Sequence, residues 1–116
     1  MMQKKFSVPI YNFNVYVTDK EHMCQLEELA NDRGLGGVVY WYHGKLCIYI
    51  ANDSGKRTNE FIAHECVHCA YEILKTVGVS VEADNNEALA YLVSYLYRKV
   101  SNILRENVKY EKGSRL

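Results

Sequence analysis

Two histidines and a glutamate stand together at His64-Glu65-Cys66-Val67-His68, an H-E-x-x-H pentapeptide inside an apolar run that extends from Thr58 to Val77. At 3.6 residues per turn the two imidazoles lie one above the other on a single helix face, so their ring nitrogens can converge on one ion. Imidazole nitrogen is a favoured zinc ligand, and a pair of them leaves room for a third ligand and an open catalytic position. Glu65 lies about 100° around the helix, beside such an ion rather than opposite it. That is the position of a general base acting on water activated by the metal. Shuffling this composition would yield the pentapeptide by chance in about one shuffle per hundred, so its weight depends on the elements that must position it.

With His64 set at 0° on a helical wheel, Ile62, Ala63, Cys66, Val67, Ala70, Ile73, Leu74 and Val77 fall between about 160° and 300°. This is the expected core face. His64, His68, Glu65, Glu72, Phe61 and Lys75 occupy about 0° to 100°, so both His and the motif Glu are expected to emerge together from the polar side. Thr58 is a plausible N-cap, and Gly78 ends the helix. A second long helix follows, from about residue 84 or 85 to about residue 105, with Leu89, Leu92, Val93, Leu96, Tyr97, Val100, Ile103 and Leu104 as its apolar arc. Its polar arc holds Glu87, Tyr91, Ser94, Arg98, Asn102 and Arg105. The short connection makes the helices antiparallel neighbours, which can bring Glu87, in the first turn, to the two His and complete a His-His-Glu ligand set. An acidic residue in a first turn is otherwise explained by the helix dipole.

Upstream, residues 10–17 alternate as a half-buried strand, with Tyr11, Phe13, Val15 and Val17 on one side. Residues 20–32 carry Met23, Leu26, Leu29 and Ala30 at helical spacing and read as a covering helix. Residues 37–51 read as a β-hairpin turning at His43-Gly44, which pairs Tyr42 with Lys45, Trp41 with Leu46 and Val39 with Ile48. Trp41, Val39, Leu46, Ile48 and Ile50 then form one apolar face, and Tyr40, Tyr42, Cys47 and Tyr49 the other, a tyrosine-lined face better explained by packing than by ligand binding. His22 and His43 read as exposed side chains without ligand partners.

The expected fold is therefore α+β, a small antiparallel or mixed sheet of the first strand and the hairpin carrying three helices. At 116 residues the chain has room for one domain, expected over residues 1–106 with a frayed tail at 107–116. A formal net charge of zero argues against nucleic acid as a partner. The N-terminal residues lack a signal-peptide apolar core, and no run approaches 18 apolar residues, so a cytoplasmic location without membrane attachment is expected. Four cysteines in a chain of this length fit reduced, buried thiols, since Cys66 points about 200° away from His64. Gly34, Gly36 and Gly37 do not have the spacing of a phosphate-binding loop.

His64-Glu65-Cys66-Val67-His68, followed nineteen residues after the second His by Asn86-Glu87-Ala88-Leu89-Ala90, resembles the gluzincin group of zinc metallopeptidases. The scale is that of the minimal single-lobe members, and the ImmA/IrrE-type peptidases share a similar arrangement. The resemblance covers roughly residues 45–97. It implies a zincin-like lobe in which His64, His68 and Glu87 ligate Zn2+ and Glu65 serves as the base for hydrolysis of a peptide or protein substrate. It also implies that residues 46–51 form an edge strand able to pair with extended substrate. Tyr91 stands where thermolysin-like members carry an Asp that orients the first His, and the second lobe is absent, leaving Tyr91 and Tyr95 as candidates for stabilising an oxyanion. The leading expectation is a zinc-dependent peptidase. The alternative is a non-catalytic zinc-binding interaction or regulatory module, and a metal-free structural domain is the third reading.

Overall fold

The computed structural model describes residues 4–19, 36–51 and 58–113, with side chains as far as Arg105 in the last segment. Four strands and two helices occur in the order β1 (Lys4–Val8), β2 (Phe13–Thr18), β3 (Gly37–Tyr42), β4 (Lys45–Ile50), α1 (Thr58–Val77) and α2 (Glu87–Gly113). The strands form one sheet in the order β1-β2-β4-β3. Antiparallel pairing joins β1 to β2 and β3 to β4, while β2 and β4 run parallel. The class is α+β with a mixed sheet, as expected. Two helices rather than three lie among the described residues; residues 20–32, expected to form the first, lie outside them.

The hairpin has the expected register, Tyr42 opposite Lys45, Trp41 opposite Leu46 and Val39 opposite Ile48. His43 and Gly44 turn at φ 49 and 77, the paired positive values of a type I′ turn, whose twist matches that of the strands it joins. Two differences upstream have physical causes. The strand expected at residues 10–17 begins only at Phe13, because the chain reverses through Ile10, Tyr11 and Asn12, where Asn12 has φ 51 and Ile10 is exposed. The preceding Lys4–Val8 is itself a strand, placing Val8 in the core and Phe6 against it. Two lysines at its start and its short length hide this alternation in the sequence.

Because β2 pairs parallel with β4, strand β4 lies inside the sheet with hydrogen-bonded neighbours on both sides. Residues 46–51 therefore do not form an edge open to substrate; the edge on that side belongs to β3. Leu46, Ile48 and Ile50 are fully buried with Val15 and Val17 of β2, and this face meets Ile62, Cys66, Cys69, Ala70, Ile73 and Leu74 of α1. On the opposite face Tyr40, Cys47 and Tyr49 are buried as a second cluster, which fits the packing explanation of the tyrosines.

Helix α2 buries Leu92, Leu96, Val100 and Leu104 at intervals of four and exposes Glu87, Tyr91, Ser94, Arg98, Asn102 and Arg105, as its periodicity requires. It continues to Gly113, beyond the end of that stripe. The sequence from Glu106 onward is rich in Glu and Lys, good helix formers that need no apolar face to extend a helix already nucleated. Residues 107–113 are thus helical rather than a frayed tail. Among the described residues no helix is long and apolar enough to cross a membrane.

Candidate metal centre

Helix α1 runs along β3, anchored at both ends of the strand. Gly36 meets the ring of Phe61, and a Cβ placed on Gly37 would come within 2.7 Å of the Glu65 side chain and 2.8 Å of the Tyr49 carbonyl oxygen. At the far end the Trp41 indole N–H donates to Glu72 Oε2 at 3.4 Å, with the Trp41 ring edge-on to Phe13 at 5.9 Å. Eleven helical residues and five extended ones each cover about 16 Å, so the helix and the strand keep step in the same direction. His64 and His68 lie on the stretch of α1 between these anchors.

This seating rotates α1 relative to the expected face. Glu65 is only 7% exposed and Cys69 is fully buried, whereas Val67 and Val77 are exposed at 40% and 39%. Ala63 is also exposed. The wheel assigned Glu65 to the polar arc with both His; instead its stem enters the seam between helix and sheet. The seam is open to it because Gly36 and Gly37 carry no side chains. The small Cys66, Cys69 and Ala70 then face the sheet and allow close packing. Burial pushes the Cys66 thiol up to about 12, with the Glu65 charge adding to the effect, and raises Cys69 further. Cys47, Cys66 and Cys69 are free and buried, fitting inert thiols rather than metal or redox ligands.

The two imidazoles remain on the open side, and His64 is 68% exposed. Their Nε2 atoms are 3.2 Å apart. Two bonds of about 2.0 to 2.1 Å meeting at a tetrahedral angle would set such atoms about 3.3 to 3.4 Å apart. The pair therefore fits the bite of one zinc ion. Two bare lone pairs repel at this distance, so either a tautomeric N–H of one ring donates to the other or a cation lies between them. Glu65 Oε2 is 4.0 Å from His64 Nε2, beside the pair. Burial raises the pKa of Glu65 from its usual value, an effect partly offset by His64 and His68.

Glu87 is the first residue of α2 and is exposed. Asn86 precedes it, its carbonyl accepting from Ala90 N and its side chain donating to the Ala83 carbonyl. Among the described residues no group of three His, Cys, Asp or Glu side chains gathers closely enough to hold a metal ion. Val79, Ser80 and Val81 border the same cleft as Tyr71, Leu74 and Lys75, which means that the chain leaving α1 turns back along it. The candidates for oxyanion stabilisation differ: Tyr95 donates its hydroxyl to the Ser7 carbonyl at 3.0 Å, and Tyr91 is 54% exposed.

Tyr71 is a further surface residue of this helix that sequence reasoning passed over. It is exposed and lies seven residues after His64 and three after His68, on the same stripe of α1. An aromatic residue one turn beyond His68 was the signal available for it. Against known proteins the chain stands apart: no family model, no curated protein and no solved structure matches it.

Proposed function

We propose that this protein is a zinc-dependent peptidase of the minimal gluzincin kind, with His64, His68 and Glu87 as ligands and Glu65 as general base. The observation that carries the reading is the 3.2 Å approach of the two Nε2 atoms on an exposed helix face. In this reading His64 and His68 are neutral at their Nε2 positions and present two lone pairs at a tetrahedral bite. Glu87, exposed at the start of α2, would be the third ligand. Bound zinc supplies Lewis acidity, polarising a peptide carbonyl and lowering the pKa of water to about 7.

Glu65 does the proton work. Its raised pKa gives it more affinity for a proton than an exposed glutamate has, which suits a base that accepts one near neutral pH. The proton is then available to the departing amine. The stem of Glu65, held against β3, fixes the carboxylate beside the imidazoles without a partner from a second lobe.

A second reading, a non-catalytic zinc-binding interaction or regulatory module, draws on the lack of a closed three-ligand set among the described residues. One experiment separates the two. Purified protein is expected to bind one zinc and to cleave members of a mixed peptide library, and Glu65→Gln to retain the zinc while losing at least about a hundredfold in turnover. Zinc bound without cleavage by either protein would favour the module. Absence of stoichiometric zinc from both proteins would defeat both readings.

A further inference from the structure

We propose that the cleft between the C-terminal half of α1 and the segment 79–81 binds the C-terminal residue of a peptide, taking an apolar side chain between its walls and the free carboxylate at Lys75. The cleft holds about 350 Å³ and is lined by Tyr71, Leu74, Lys75, Val79, Ser80 and Val81. That volume lies at the low end of small-ligand sites, roughly 300 to 1,000 Å³, and suits one or two amino-acid residues. Val79 and Val81 are half-buried and pack against the main core, so the apolar wall is anchored. Tyr71 supplies an exposed aromatic edge.

The polar groups favour an anion. Lys75 makes no ion pair among the described residues. Nor is its charge required to close the helix: Val79 N donates to the Leu74 carbonyl at 2.8 Å and Gly78 N to the Lys75 carbonyl at 3.3 Å, around Gly78 at φ 81. The backbone N–H groups of Ser80 and Val81 make no backbone hydrogen bond among the described residues and stand beside the cleft as further donors. An apolar wall beside a cation and unpaired N–H groups is complementary to a hydrophobic residue bearing a terminal carboxylate.

Position links the cleft to the imidazoles. Tyr71 and Lys75 continue the stripe of His64 and His68, and Lys75 lies about 10 Å along the axis from His68. Extended peptide advances about 3.3 Å per residue, so a chain end held at Lys75 sets the carbonyl at the imidazoles two or three residues back. Combined with the peptidase reading, on which this last step rests, the substrate is a peptide or protein with an apolar C-terminal residue, and the product a released di- or tripeptide.

Binding of Gly-Gly-Phe as free acid and as C-terminal amide, and of Gly-Gly-Gly free acid, to the full-length protein tests the cleft. NMR titration in the presence of a chelator keeps the peptide carboxylate from reporting on a metal, and it needs no turnover. The free acid of Gly-Gly-Phe is expected to bind at least tenfold more tightly than its amide and than Gly-Gly-Gly, with shifts at residues 79–81. Lys75→Met, an exposed substitution, is expected to abolish the acid-over-amide preference while leaving amide binding in place. Equal binding of acid and amide, a preference that survives Lys75→Met, shifts confined elsewhere, or no binding would each overturn the proposal. None of these results bears on zinc binding or on Glu65→Gln, so failure of the cleft proposal is distinguishable from failure of the peptidase reading.

Discussion

A carboxylate that is 7% exposed and packed along a strand gives up much of its hydration, and Glu65 accordingly holds a proton more tightly than a free glutamate. In the unfolded chain it titrates near about 4.3. Between that value and the raised folded one, the folded protein binds a proton that the unfolded chain has released. Stability is therefore fully present below the unfolded value and is lost as pH rises through the window. Thermal unfolding of metal-free protein from about pH 4 to 8 is expected to show this loss, and Glu65→Gln to flatten it. If the variant reproduces the wild-type profile, the dependence arises from other groups. His64 and His68 differ in kind, because their spacing alone puts them on one stripe. Their Nε2 atoms lie 3.2 Å apart on that stripe.

At the scale of elements, the approach of α1 to β3 depends on Gly37. A methyl group there would collide with the Glu65 side chain and the Tyr49 carbonyl, the second of which cannot swing aside. Gly37→Ala is expected to cost about 1 to 3 kcal/mol through overpacking. On the proposed peptidase reading it is also expected to reduce turnover more than zinc affinity, since Glu65 is displaced directly and the imidazoles only through the helix. Denaturant unfolding and zinc titration of the variant measure the two effects; unchanged stability would show that the seam can relax. The hairpin was legible because alternation and a two-residue turn leave one register that buries Leu46, Ile48 and Ile50 together. The rotation of α1 was not. A wheel weighs each residue's own hydrophobicity, and by that measure Val67 belongs inside and Glu65 outside; the glycines on the neighbouring strand reverse the outcome.

For the whole molecule, zinc that binds only the folded state must stabilise it. At free zinc a hundredfold above Kd the gain is about 2.7 kcal/mol, on the order of 10 °C in Tm for a chain of this size. Thermal melts with zinc and with chelator are expected to differ by that amount, and His64→Ala to remove the difference. An equal rise in the variant would place the metal elsewhere. Periodicity by itself determined the α+β class, the hairpin register, the buried stripe of α2 and the shared face of His64 and His68, because each follows from repeat distances along one segment. Tertiary structure alone decided that β4 is interior, that Lys4–Val8 adds a strand, and that Glu65 is buried while Val67 is exposed. It also sets Glu87, exposed, at the first position of α2. Such features depend on which segments meet, and contacts between distant segments carry no fixed spacing in the chain.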